Sequence, residues 1–322
     1  EKRLGGEEKE AGQFNRSLTF LDLRSNGLGS GAARELPPVA RHNVVLSAIR
    51  LDDNPGLGTA GLRGLFAELK AYNSSLTTLS LSRGPSGNEV AAWAAAWLQG
   101  SDCALETLSV ARREIGRAGA RALGQALAHS NTLSYLDLSG NPLGCKGVEL
   151  LAAGLSRCPS LLHLALDDCA LRSDGARALA QALAPTARAY VVTADVVTAD
   201  DDPSDAAAAA AAAATAAARP RPQGQPRSAL TSLSLGYNHL GRRGAVALAE
   251  AVRGSPRLRR LRLGSCGVGV MGIGPLAAAL EGHPGMEWVS LRDNELRREG
   301  GMAMAPVIGN NTGSAWRSGR RG

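Results

Sequence analysis

Nine times along its 322 residues the chain repeats one short apolar pattern, L-x-x-L-x-L. The copies start at Leu18, Leu46, Leu76, Leu105, Leu133, Leu161, Leu230, Leu258 and Met286, at intervals of 28 to 30 residues except for one of 69. The alternation at the end of each copy reads as a short strand with one buried face. Behind each copy lies a stretch that is apolar at three- and four-residue spacing and rich in Ala, such as Ala118–Ala128 or Ala245–Val252, which reads as a helix. A single strand-turn-helix unit cannot bury its own apolar face, whereas stacked units share a continuous core. The pattern therefore predicts an α/β solenoid of about nine repeats, with one parallel sheet inside and a row of helices outside. Strands pack more closely than helices, so the stack should bend into a horseshoe with the sheet on its concave side.

The turn after each strand is punctuated just as regularly. Three residues beyond the last apolar position stands Asn26, Asn54, Asn141, Asn238 or Asn294, replaced by Cys169 and Cys266 in two copies and by Gly84 and Arg113 in two others. A buried Asn amide there can both donate to and accept from backbone groups that have left the ladder. A Gly follows nine residues past the third apolar position in six copies (Gly119, Gly147, Gly175, Gly244, Gly272 and Gly300), which calls for either positive φ or close approach. The third copy departs from the pattern over Ser82–Glu89 and carries Trp93 and Trp97 in its helix, so a distorted turn is expected.

This LxxLxLxxN/CxLG pattern, with its alternation of Asn141, Cys169, Asn238, Cys266 and Asn294, resembles the ribonuclease-inhibitor type of leucine-rich repeat. The resemblance spans residues 18–184 and 229–308 and implies a non-catalytic horseshoe that grips a protein partner. Related members imply two alternatives. One is a regulator of a small GTPase, like the Ran GTPase-activating proteins. The other is the sensor repeat region of a NOD-like receptor.

Five segments are expected: a polar stretch 1–17, repeats one to six over 18–184, an insertion 185–228, repeats seven to nine over 229–308, and a basic tail 309–322. The insertion repeats VVTAD in tandem and continues into Asp200–Asp202, nine alanines (Ala206–Ala214) and a Pro/Arg stretch, a low-complexity composition that predicts disorder. The net charge of +7 belongs to the C-terminal third, where residues 219–322 hold 16 Arg against 6 acidic residues. With 32 Arg to 4 Lys and abundant Ala and Gly, coding bias accounts for this excess as well as function does. Five cysteines without C-x-x-C spacing point to a reducing compartment, cytoplasmic or else nuclear, and no apolar run is long enough to span a membrane. The chain opens on Glu1 rather than Met, so it reads as a piece whose targeting signals lie elsewhere.

Motifs for chemistry are weak. Gly267-x-Gly269-x-x-Gly272 has dinucleotide-binding spacing, but its second and third glycines are repeat glycines, matching Gly144 and Gly147. Gly84-Pro85-Ser86-Gly87 lacks the Lys of a P-loop. His163 stands on a strand with Asp167 and Asp168 behind it, yet the register places no Ser or Cys nucleophile beside them. No catalytic, cofactor or metal site is therefore expected.

Register instead assigns a concave surface, because residues flanking the last two apolar positions face the hollow. Tyr135, Asp137, His163 and Asp167 form an acidic patch with an aromatic anchor. Arg260, Arg262, Trp288 and Arg292, with Tyr237 nearby, form a basic aromatic patch of the kind enriched at interface hot spots. These nine residues are the candidate partner-binding site. The expected partner is a protein, a small GTPase among the alternatives, bound by a monomer. Nucleic acid is set aside because the positive charge is scattered.

Overall fold

The computed structural model describes residues 15–183 and 229–310. The expected insertion, almost all of the basic tail and most of the polar N-terminal stretch lie outside them. Nine three-residue strands make one parallel sheet in chain order: β1 (Phe20–Asp22), β2 (Ala48–Arg50), β3 (Thr78–Ser80), β4 (Thr107–Ser109), β5 (Tyr135–Asp137), β6 (His163–Ala165), β7 (Ser232–Ser234), β8 (Arg260–Arg262) and β9 (Trp288–Ser290). Each is followed by a helix: α1 (Ser30–His42), α2 (Gly58–Tyr72), α3 (Gly87–Leu98), α4 (Arg117–Leu127), α5 (Gly144–Leu155), α6 (Ser173–Leu183), α7 (Gly241–Gly254), α8 (Gly269–Glu281) and α9 (Arg297–Asn310). The last is a full helix that runs two residues past the 308 expected from sequence, and α7 begins four residues before the expected Ala245.

In copies two to eight the three apolar positions are buried, pointing away from the hollow against the helices, while at the ends Leu18 is exposed and Leu21, Leu23, Val289 and Leu291 are only partly buried. Leu105, Leu108 and Val110 are completely buried, as are Leu123 and Leu127 of the helix that covers them. The register is in phase throughout, with Leu21, Ile49, Leu79, Leu108, Leu136, Leu164, Leu233, Leu261 and Val289 aligned across nine strands. The sheet runs straight across the long interval, since β6 pairs β7 with His163 opposite Ser232 and Ala165 opposite Ser234.

The turns are held by a ladder of side-chain amides. Asn141 is fully buried; its Oδ1 accepts from the N–H groups of Arg113 (2.9 Å) and Ile115 (3.0 Å), and its Nδ2 donates to the carbonyls of Val110 (3.0 Å) and Leu138 (2.7 Å). Asn54, Asn141, Asn238 and Asn294 thus each tie their own strand end to that of the preceding repeat. Asn238 does the same for Cys169, Leu171 and Leu166 across the 69-residue interval. Where Cys takes the slot the thiol keeps the donor role: the Sγ of Cys169 lies 3.2 Å from the Leu138 carbonyl, that of Cys266 3.0 Å from the Leu235 carbonyl. Burial pushes these thiols up to about 12 and about 11, so both stay protonated.

The third repeat does have an irregular turn. Arg83 is left-handed like its counterparts Asp53, Arg112 and Asp168, but Gly84 then sits at φ +150° and Ser86 is left-handed as well. The buried Arg113 guanidinium reaches back into this turn, donating to the carbonyls of Leu81 and Pro85. A donor-only side chain matches a turn that offers it carbonyls. Phe66, Trp93 and Trp97 cluster behind it, with ring centroids 6.2 and 6.3 Å from Phe66.

The two alternatives for the repeat glycines resolve by position. Gly144, opening α5, takes φ +62°, whereas Gly119 of α4 is a close-approach site where a Cβ would lie 2.7 Å from Ile115 Cγ2 and 2.9 Å from Ala91 Cβ. The dinucleotide-like glycines belong to this scheme. The Gly269 N–H donates to the Asn294 carbonyl at 3.1 Å, as Gly241 does to Cys266, so it is turned into the fold rather than toward a phosphate.

Candidate concave-face binding site

Parallel strands in register line up their outward residues in rows perpendicular to the chain. One row runs Tyr135, His163, Ser232, Arg260, Trp288, and the next runs Asp137, Ala165, Ser234, Arg262, Ser290. All nine residues expected from sequence therefore lie on or beside five consecutive strands, β5 to β9. The acidic and basic aromatic patches, 93 residues apart in sequence between Asp167 and Arg260, are one surface in space.

Their roles are not equal. Asp167, read from sequence as part of an acidic patch on its strand, lies beyond the end of β6 and is engaged within the protein. Its carboxylate accepts from the Ser234 hydroxyl (2.7 Å) and the Gly236 N–H, and Arg262 Nη1 stands 3.6 Å away. Asp168, one residue on, has turned into the left-handed region at φ +53°. Asp137 accepts from the Ser139 N–H at 2.9 Å and from Ser109 at 3.3 Å. The same motif recurs near the other end, where Asp52 takes the Ser80 hydroxyl and the Ser82 N–H, both at 2.6 Å. These bonds lock the strand ends and leave little free acidity.

The aromatic groups are open. Tyr135 is 37% exposed and Trp288 50% exposed, at opposite ends of one row. Tyr135 lies against His163 with ring centroids 6.0 Å apart and an interplanar angle of 41°. Partial burial raises the Tyr135 hydroxyl above its ordinary value, with Asp137 and Asp167 adding to the effect; burial and then Arg260 lower the His163 imidazole below 6.5. At neutral pH both are uncharged. Tyr237 occupies a left-handed turn position rather than a strand, and the Arg262 guanidinium sits 6.0 Å from its ring centre. Arg292 pairs with its neighbour Asp293 at 2.9 Å, and its side chain is 79% exposed.

A His-Asp pair for acid-base chemistry is not assembled: Asp167 is held by Ser234, Gly236 and Arg262, and His163 packs on Tyr135. Among the described residues no cluster of three metal-ligating side chains occurs, and no helix is long and apolar enough to cross a membrane. All five cysteines are free thiols. Register already puts Ser232 and Ser234 on the concave side, but the sequence reading left them out of both patches; one stands at the centre of the aromatic row and the other is bonded to Asp167. Reading Ser and Asp at fixed offsets down successive repeats, as was done for Asn, would have singled them out.

A family model described as "Leucine Rich repeat" matches residues 14–36, 129–152, 157–180 and 229–249. A bovine protein, "NACHT, LRR and PYD domains-containing protein 5", is 29% identical over 300 residues, covering 91% of this chain but 23% of that protein. The porcine "Ribonuclease inhibitor" is 28% identical over 299 residues, covering 87% of this chain and 64% of the inhibitor. The chain thus spans under two thirds of either relative. Among solved structures, the chain matched in the yeast complex of Rad7 and Elc1 superposes with a TM-score of 0.53 at 17% identity, over 91% of this chain and 61% of that one. The leucine-rich-repeat protein LegL7 of Legionella pneumophila superposes with a TM-score of 0.50 at 16% identity, over 86% of this chain and 74% of that one. Both likenesses concern the fold.

Proposed function

Because the chain belongs to the leucine-rich-repeat proteins of the ribonuclease-inhibitor type, we propose that it is a non-catalytic scaffold that binds a protein partner on the concave face of β5 to β9. The observation that carries this reading is the open aromatic row from Tyr135 to Trp288, set on a sheet whose polar neighbours are internally bonded and therefore rigid. Exposed aromatics on a pre-ordered surface bury large area at little entropic cost. One of its relatives is named for inhibiting ribonuclease, which supports protein binding as the role of such a sheet.

A second reading concerns the parent protein. Likeness to the repeat-bearing "NACHT, LRR and PYD" proteins across 91% of this chain supports its being the repeat region of a receptor of that kind. The GTPase-regulating alternative draws no support from the sheet's rim, where Asp52, Ser82, Asp167 and Ser234 bond to one another or to neighbouring backbone. Five free thiols, four of them buried, support a compartment that keeps them reduced, the cytoplasm first.

The test is site-directed photo-cross-linking in a native extract. A photoreactive phenylalanine at Tyr135 or Trp288 on the concave side is expected to yield higher-mass conjugates, and one at Tyr72 or Met271 on the helix side to yield none. Conjugates confined to the helix-side positions would overturn the reading.

A further inference from the structure

Among the arginines of β8 and β9 and the residues flanking them, three already have carboxylates: Arg259 pairs with Glu287, Arg262 with Asp167 and Arg292 with Asp293. Arg260 is exposed and, among the described residues, has no acidic partner. It stands in the aromatic row between Ser232 and Trp288, and the Ser232 hydroxyl likewise has no hydrogen-bond partner among the described residues. Ser232 is the smallest side chain of the row, so it leaves a notch walled by His163 on one side and Arg260 on the other. A guanidinium, a hydroxyl and an imidazole, each able to donate, thus stand side by side along the row there.

We propose that the Tyr135–His163–Ser232–Arg260–Trp288 row is the seat of an acidic peptide segment, which sets a carboxylate on Arg260 over Ser232 and apolar side chains on Tyr135 and Trp288. The assignment rests on the concave-face reading and names the partner's chemistry. An arginine fork matches a carboxylate in a bidentate way, and a guanidinium over an otherwise rigid surface loses little order on binding. A single unpaired cation in the row suits a monoanion better than a phosphate dianion, because the neighbouring Arg259, Arg262 and Arg292 are already paired and offer the second charge no free partner. The row spans four inter-strand steps, about 19 Å at about 4.8 Å per step, so an extended segment of about six residues crosses it from one aromatic to the other.

The experiment is selection of a phage-displayed random dodecapeptide library on the full chain, with the selected peptides then measured by fluorescence anisotropy on variants. Peptides carrying Asp or Glu between apolar residues are expected. Arg260→Glu should weaken them about tenfold or more, Trp288→Ala less, and Arg260→Lys by an intermediate factor because charge survives without the fork. Circular dichroism checks that each variant folds. Basic peptides, peptides that bind Arg260→Glu as tightly as the original, or an empty selection would each overturn the assignment. Peptides indifferent to Arg260→Glu yet lost with Tyr135→Ala would overturn it while leaving the concave-face reading in place. A phosphoserine version binding about tenfold more tightly than its Glu counterpart would reassign the notch to phosphate.

Discussion

The position after each strand shows how one slot tolerates three chemistries. Asn supplies donor and acceptor, Cys a weak thiol donor, and Arg113 a pair of donors aimed at carbonyls of an altered turn. Asn was legible as a slot because its period equals that of the leucines. Arg113 was not, since its partners are the Leu81 and Pro85 carbonyls one repeat upstream, and only the folded register brings them together. Replacing Asn141 by Ala leaves the Arg113 and Ile115 N–H groups and the Val110 carbonyl without partners in a dry core, and leaves the Leu138 carbonyl with the Cys169 thiol alone. Unsatisfied buried groups cost about 1–3 kcal/mol each before relaxation, so a loss of about 3 kcal/mol is expected in urea unfolding. A change below about 1 kcal/mol would show that water replaces the amide.

Among elements, the helices fit together where side chains are absent. Gly124 of α4 faces Gly154 of α5, and a Cβ on Gly154 would fall 1.8 Å from the Gly124 carbonyl oxygen. The composition suggested only that Ala and Gly abound; which glycines are contact points depended on how the rows stack. On helix propensity alone, Gly154→Ala should stabilise by about 1 kcal/mol. The backbone contact decides against it, and a net destabilisation of about 2 kcal/mol is expected, because α4 and α5 must separate to admit the methyl group. Thermal unfolding of Gly154→Ala beside Gly274→Ala, whose Cβ would meet nothing within 4 Å, separates the two effects. Equal midpoints for the pair would refute the close-contact account.

For the whole molecule, the decisive fact is that β6 and β7 are neighbours despite 69 residues between their repeat starts. The bonds at that junction match those elsewhere: Ser232 donates its N–H to the Leu162 carbonyl at 3.0 Å, and Leu166 donates to Ser234 at 2.9 Å. Removing residues 185–225 restores the six-residue spacing between Leu183 and Leu230 that Leu155 and Leu161 already have. The shortened chain is expected to unfold as cooperatively as the parent and to be unchanged or more stable, by at most about 2 kcal/mol of loop-closure entropy. A broadened or split transition in the deletion variant would mean that the two halves of the sheet need that segment to join.

The sequence by itself determined the number of repeats, their strand-turn-helix content, the buried leucines and the residues that face the hollow. Each of these follows from periods of two and 28, which the chain carries locally. The tertiary structure decided which groups remain available. Asp167 reads as a free acid until Ser234, 67 residues away, and Arg262 are brought against it, while Arg260, on the same strand as Arg262, is left without a carboxylate among the described residues. Pairing across strands is set by stacking distance and register, quantities that no single repeat contains.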